Sequence, residues 1–287
     1  MPTVLTLPIR VLLLCVVLLS ARTVQADEAT DDYNFAAGLY KNEKWVLAEE
    51  AFQKFLTKHS KHQRAPRARY YLGLTQRENK KLPAARDTLR SFVADFEKSE
   101  DATLARFVIG ECSYELNDFA AAVTEFTQFE KAIQANAQVP EYEVALTYLG
   151  DSYRRLKKYP EAIATLEKSL KLFEKGRYSE EAKFWLAQSL DAAGQSDKAV
   201  EVFKEIAATP AATRADAAQL QLANILFAKE QYQAAIEAYG RIEKEFPKSR
   251  HLPTAQLNAG YAFYQLGQFA NAMAAFDRAQ KSEPVTV

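Results

Sequence analysis

The amino-acid sequence predicts an all-α solenoid of seven helix-turn-helix repeats, and three observations carry that prediction. First, a small residue followed twelve positions later by alanine recurs seven times. The pairs are Ala36/Ala48, Gly73/Ala85, Gly110/Ala122, Gly150/Ala162, Ala187/Ala199, Ala223/Ala235 and Gly260/Ala272. Successive pairs start 37, 37, 40, 37, 36 and 37 residues apart, a period at which each unit buries one face against the next. Second, Gly and Pro number only 9 and 10 in 287 residues, too few for a loop-rich or all-β chain. Third, apolar residues within each unit fall at i+3, i+4 and i+7, the period of an amphipathic helix.

Residues 1–26 stand apart from this pattern. Arg10 precedes the apolar run Val11 to Leu19, and Val24-Gln25-Ala26 offers short side chains at a cleavage site. The segment has the form of a secretory signal peptide cut after Ala26. As a helix the run would span about 14 Å, against a hydrocarbon core of roughly 30 Å, so it is too short to anchor the chain. Cys15 lies inside the run behind Leu14, where lipidation needs a small residue, and no lipid anchor is expected. Without the leader the chain carries 35 basic and 37 acidic residues. This balance gives no reason to expect nucleic acid, and a membrane would be met only through other proteins. Cys112 remains as the single cysteine, so packing must hold the fold without an intramolecular disulfide.

From residue 27 to 287 the repeats run over approximately 29–65, 66–102, 103–142, 143–179, 180–215, 216–252 and 253–287. Each is numbered so that its small residue is position 8 and its paired alanine position 20. Position 3 is then Ala68, Ala105, Ala145, Ala182, Ala218 and Ala255. Position 7 reads Phe35, Leu72, Ile109, Leu149, Leu186, Leu222 and Ala259. Position 17 is aromatic in five repeats (Trp45, Phe119, Tyr159, Tyr232, Phe269), and position 24 reads Phe52, Leu89, Phe126, Leu166, Phe203, Tyr239 and Phe276. Positions 8 and 20 fall where the two helices of a repeat cross, and only Gly or Ala lets the backbones approach closely there. Short turns such as Asn117-Asp118 and Leu266-Gly267-Gln268 join the helices.

A small residue at 8, Ala at 20, an aromatic at 24 and Pro at 32 (Pro247, Pro284) resemble the tetratricopeptide repeat. Two departures stand out. The period is near 37 rather than about 34, and position 4 carries Arg69, Arg106, Lys183, Gln219 or Gln256 where that repeat has Trp. The large residue has moved to position 5, as in Ala68-Arg69-Tyr70 and Ala182-Lys183-Phe184. This longer variant is similar to that of bacterial periplasmic members, among them the Tol-Pal-associated cell-division coordinator and the lipoprotein of the β-barrel assembly machine. The resemblance implies a right-handed superhelix whose first helices line a concave, peptide-binding groove.

Chemistry-bearing motifs are sparse. The sequence has no phosphate-cradling Gly-rich loop, nucleophile elbow or metal-ligand cluster, so neither a cofactor nor a catalytic residue is expected. His59 and His62 read as part of a solvated turn, with no carboxylate between Ala51 and Arg77. Cys112 reads as a packed side chain rather than a catalytic thiol. With position 5 in the core, the groove falls to positions 2, 6, 9, 12 and 13. These hold Tyr71, Arg77, Tyr114, Tyr148, Arg154, Arg155, Trp185, Asn224, Phe227, Asn258, Tyr261 and Tyr264, residue types enriched at binding hot spots. Some of the aromatics, Phe227 above all, would instead fill gaps between repeats. In relatives that grip chaperone tails, asparagines matching Asn224 and Asn258 hold a peptide main chain or C-terminal carboxylate. Here Leu220 and Thr254 stand where those clamps carry lysine, which argues against a carboxylate clamp and leaves main-chain gripping open.

Charge is uneven. Seven basic residues and no acid lie between Ala51 and Arg77, and eleven acids against three basic residues between Asp95 and Glu143. The basic run reads as a solvated face or as a docking patch for an acidic partner. Two functions follow. One is a non-catalytic extracytoplasmic scaffold binding envelope proteins or peptides in its groove. The other is a structural subunit of an outer-membrane assembly, cell-division or envelope-maintenance complex. The seventh repeat shows no polar cap over Met273, Phe276 and Ala279, so self-association through it, or a longer native chain, is expected.

Overall fold

A computed structural model describes residues 28–209 and 212–282. The leader, its cleavage site and Pro284 lie outside the described residues. Those residues form fourteen α-helices and no strand, arranged as seven hairpins. They are α1 (28–41) with α2 (Trp45–Lys58), α3 (Ala65–Glu78) with α4 (Leu82–Asp95), and α5 (Glu100–Glu115) with α6 (Phe119–Ala132). Then come α7 (Tyr142–Arg155) with α8 (Tyr159–Leu172), and α9 (Ser179–Ala192) with α10 (Ser196–Ala207). The last are α11 (Ala215–Ala228) with α12 (Tyr232–Glu245), and α13 (Leu252–Gln265) with α14 (Phe269–Lys281). The chain divides into two compact units, residues 28–132 with three hairpins and 133–282 with four. Within each unit every helix packs on its sequence neighbours, and first helices of successive hairpins also touch.

Each hairpin closes in the same way. Position 15 has a left-handed backbone in all seven: Glu43, Lys80, Asn117, Lys157, Gly194, Glu230 and Gly267, with φ between 57° and 79°. The next N–H then bonds to the carbonyl five residues back, as Lys81 to Gln76 and Lys158 to Tyr153, both at 2.9 Å. This satisfies carbonyls that the end of the first helix would leave open. Proline opens α3, α4, α8 and α13 within their first two residues, where its missing N–H costs nothing.

The crossing read from the sequence is what the hairpins show. Every position-20 alanine is buried, and position 8 sits over the side chain at position 24 of its own hairpin. A Cβ placed on Gly110 would lie 2.7 Å from the Phe126 ring, and one on Gly73 2.5 Å from Leu89. Position 5 is core in the first six hairpins, whereas Leu257 of the seventh is 40% exposed, and in the first three an aromatic partner at position 27 completes it. Tyr33 meets Phe55 at 5.7 Å between ring centroids, Tyr70 meets Phe92 at 5.6 Å, and Phe107 meets Phe129 at 5.4 Å. The fourth hairpin differs. There Thr147 and Ser169 hydrogen-bond at 3.2 Å, and the fully buried Tyr142 supplies the aromatic bulk.

Successive hairpins are also fastened by acids. Glu143 accepts from the backbone N–H of Tyr178 at 2.6 Å, Glu180 from that of Arg214 at 2.7 Å, and Asp216 from the Ser249 hydroxyl at 2.5 Å. All three acids occupy position 1, and each holds the loop leading into the next hairpin. In the first unit, buried Glu49 plays a similar part, accepting from Asn79 at 2.6 Å and Lys81 at 2.9 Å.

Three sequence expectations change. Phe35, grouped with the buried residues of position 7, is 66% exposed, because no described hairpin precedes it. His59 is not in a solvated turn: its side chain is 7% exposed and its Nε2 lies 3.0 Å from Asp32 on α1. The basic run is partly paired within the fold. Lys58 pairs with Glu28 and Asp32, Arg69 with Asp95, and Arg77 with Glu111, while Arg64 bonds to Asn34. Arg86 and Asp118 add a further pair between hairpins. Of these pairs, Arg77–Glu111 and Arg86–Asp118 join neighbouring hairpins, whereas Lys58–Glu28, Lys58–Asp32 and Arg69–Asp95 lie within one hairpin.

Candidate functional site

The residues of positions 6, 9 and 12 lie along the first helices, and their contacts sort them into distinct groups. In the first unit Tyr71 is half-buried. Its ring stacks on Phe52 at 5.9 Å and 9° and meets Tyr40 edge-on at 5.0 Å. That is the geometry of a residue joining two hairpins. Arg77 donates to Glu78 at 2.8 Å and Glu111 at 3.0 Å, linking α3 to α5. Tyr114, also half-buried, packs edge-on against Phe119 at 5.7 Å.

In the second unit Tyr148 and Trp185, both at position 6 of successive hairpins, meet at 6.4 Å. Trp185 is half-buried on the cluster of Phe184, Leu186 and Phe203, with the Arg214 guanidinium 6.0 Å from its ring. Arg154 and Arg155 converge on one fully buried carboxylate, Asp151, with Nε contacts of 2.7 Å and 3.4 Å. Much of their charge is therefore answered from within the fold. Tyr264 is exposed and packs on Phe269.

The most developed site is a cleft of about 200 Å³ lined by Asn224, Phe227, Tyr239, Asn258 and Tyr261. The Asn224 Oδ1 accepts two hydrogen bonds, from the Tyr239 hydroxyl at 2.7 Å and from Asn258 Nδ2 at 3.0 Å. This fixes which way both amides point. The Asn224 NH2 and the Asn258 Oδ1 then take no partner among the described residues, and they offer a donor and an acceptor side by side. Burial pushes the Tyr239 hydroxyl up to about 12, with the neighbouring Asn258 amide opposing; it stays a neutral donor at any physiological pH. Tyr261 is 50% exposed and Phe227 half-buried, giving the cleft apolar walls.

Four of these five residues were singled out from the sequence; Tyr239 was not, because position 24 reads as core. The signal was present: Tyr239 is the one position-24 residue with a polar tip among six Phe and Leu. Elsewhere, burial pushes the Cys112 thiol up to about 12, which leaves no thiolate for nucleophilic chemistry near neutral pH. Among the described residues no helix is long and apolar enough to cross a membrane. Nor does any group of three or more His, Cys, Asp and Glu among them have the arrangement to hold a metal ion.

A family model described as tetratricopeptide repeat matches residues 33–100, 148–218 and 220–284, well over half of the chain. The chain belongs to the tetratricopeptide repeat family. Members of this family are generally non-catalytic scaffolds for protein–protein interaction. The chain is similar in fold to a tetratricopeptide repeat protein from Parabacteroides merdae. The two are 18% identical with a TM-score of 0.58, over 89% of this chain and 93% of that one. It is similar also to a putative kinesin light chain from Podosopora anserina with nearly identical repeats (22% identity, TM-score 0.51, 64% and 96% coverage). A third likeness is to residues 41 to the end of MamA from Desulfovibrio magneticus (15% identity, TM-score 0.52, 62% and 93% coverage). At these identities the likeness is one of fold. No curated protein matches the sequence at a significant level.

Proposed function

We propose that this tetratricopeptide repeat protein is an extracytoplasmic scaffold that holds an extended segment of an envelope protein along its first helices. The observation that carries the reading is the amide pair Asn224/Asn258. One free amide NH2 and one free amide oxygen, side by side between Tyr261 and Phe227, match the carbonyl and N–H of a peptide main chain. The Tyr239 hydroxyl holds the pair in place before a ligand arrives, which lowers the ordering cost of binding. No lysine stands near enough in the repeat pattern to clamp a terminal carboxylate, which favours an internal segment over a chain end. The leader-like residues 1–26 support export, and hence a partner in the cell envelope.

The test is selection of binding peptides from a random library displayed against the purified protein. Asn224→Ala combined with Asn258→Ala should weaken the selected peptides at least about tenfold, near 1.4 kcal/mol, with helicity unchanged. N-methylation of the gripped peptide residue should cost a similar factor, since it removes the donor that Asn258 Oδ1 accepts from. Peptides whose affinity ignores both changes would show that the cleft does not grip a main chain.

A further inference from the structure

We infer that the two end hairpins are the two halves of one interface, and that the occupant of each is a second copy of this chain, joined end to end. The pattern inside the chain defines the interface. The position-7 side chain of a hairpin enters a core with the second helix of the hairpin before it. Leu72 clusters with Phe52 and Phe55, Leu186 with Leu166, Leu222 with Phe203, and Ala259 with Tyr239. The position-21 side chain supplies the other half. Val200 is buried in a cluster with Ala218, Leu222 and Ile225 of the following helix, and Glu49 bonds across to Asn79 and Lys81.

The first hairpin presents the entering half, with nothing against it among the described residues. Phe35, at position 7, is 66% exposed, and beside it opens a cleft of about 240 Å³ lined by Leu39, Leu47, Lys54 and Phe55 among others. The last hairpin presents the receiving half. Met273, at position 21, is 64% exposed and Phe269 59% exposed, whereas position 21 is buried or half-buried in the six other hairpins. The cleft beside Phe35 carries charge of both signs, Asp32 and Glu50 with Lys54, so it presents no single-sign block to an apolar partner. The two halves lie on different hairpins, so the contact is heterologous, and copies add head to tail rather than as a symmetric isologous pair. Between separate molecules the contact must also overcome lost translational and rotational freedom, which makes it weak and concentration-dependent.

Sedimentation velocity on the purified protein, from low to high micromolar concentration, tests this. The weight-average mass should rise at least about twofold over that range if copies add in a row. Phe35→Glu alone and Met273→Glu alone should each abolish the rise, because every junction needs one of each face. Both sites are exposed, and an unchanged helical circular-dichroism signal confirms that each variant folds. The decisive sample is their mixture. Phe35→Glu keeps an intact last hairpin and Met273→Glu an intact first one, so together they should form a 1:1 complex that grows no further. A wild-type protein that stays monomeric overturns the inference. So does a Phe35→Glu variant that still associates while Met273→Glu does not, which would place last hairpin against last hairpin.

Discussion

Adding one methyl group to Gly110 tests the crossing on which every hairpin depends. The new Cβ would lie 2.7, 2.8 and 3.0 Å from three carbons of the Phe126 ring, where carbon atoms prefer about 3.5–4.0 Å. The ring has no open side: Phe126 is fully buried and lies 6.1 Å from the Phe107 ring. Relief must come from a shift of helices that are themselves packed, at roughly 1–3 kcal/mol. Gly→Ala within a helix also gains about 0.5–1 kcal/mol from backbone entropy, so the net loss centres on about 1 kcal/mol and reaches at most about 2.5. Gly240→Ala isolates that second contribution. Gly240 is inside α12, and its Cβ would meet nothing within 4 Å, so this variant should gain the full 0.5–1 kcal/mol or so. The separation between the two variants, about 1–3 kcal/mol, is then the overpacking alone. Urea unfolding followed by helical circular dichroism reads both midpoints. If Gly110→Ala is stabilised as much as Gly240→Ala, the glycine is not there for a close helix approach, and the account of position 8 fails.

Gly176→Ala should displace the Glu143 carboxylate, which occupies the space a Cβ would need while it accepts from Tyr178 N–H. Losing that charged hydrogen bond costs roughly 1.5–3 kcal/mol; in a Glu143→Ala background the same change should be neutral or better, so a double-mutant cycle that shows additivity contradicts the contact. Trp185→Ala should cost about 2 kcal/mol of stability, below the 3–5 kcal/mol of a fully buried aromatic, since the ring is only half-buried against its cluster; an unshifted unfolding midpoint would mean the indole belongs to the open face alone. Burial lowers the His251 pKa below the ordinary 6.5, with Asp216 opposing and Arg250 adding a smaller push downward. The unfolded chain therefore binds the proton first as pH falls, so this contribution is complete above about 6.5 and lost as pH drops through the depressed folded value. His251→Gln should remove part of the mild-acid loss of stability, measured as the urea midpoint at neutral and mildly acidic pH.

The fold was legible because its physics is periodic. A crossing that admits only Gly or Ala must recur wherever a hairpin recurs, so the pairs from Ala36/Ala48 to Gly260/Ala272 mark the elements before any propensity is weighed. The aromatic partnership of positions 5 and 27 was only half visible. Position 5 stood out through Tyr70 and Phe184, but the fourth hairpin replaces the pair with Thr147, Ser169 and Tyr142, and that exception hides position 27 in a column read down the sequence. The acids of position 1 were legible in principle. Glu143, Glu180 and Asp216 occupy it in three successive repeats, yet their partners are backbone N–H groups and a serine some 33–35 residues on, which leave no complementary charge to find. The same reason explains the basic run from Lys54 to Arg77. Its signal as a patch came from counting one segment by itself, whereas its pairing partners Asp95 and Glu111 come from the acidic segment that follows.

The cleft at Asn224 shows how a core position and a binding position can be one residue. Tyr239 fills the space under position 8 as Phe52 or Phe203 does, and its ring is almost fully buried. Its hydroxyl then emerges on the far side, where it sets the direction of the Asn224 amide, and Asn224 in turn orients Asn258. A single oxygen atom added to an otherwise ordinary packing residue therefore decides which hydrogen-bonding groups face the cleft. Tyr239→Phe is for that reason the sharpest separation of packing from recognition in this chain. The ring and its burial are kept, so stability should fall by only about 1 kcal/mol, the net worth of one hydrogen bond. The Asn224 amide loses its fixed orientation, so peptide affinity should fall by roughly the same 1 kcal/mol, about fivefold, although Tyr239 itself need never touch the peptide.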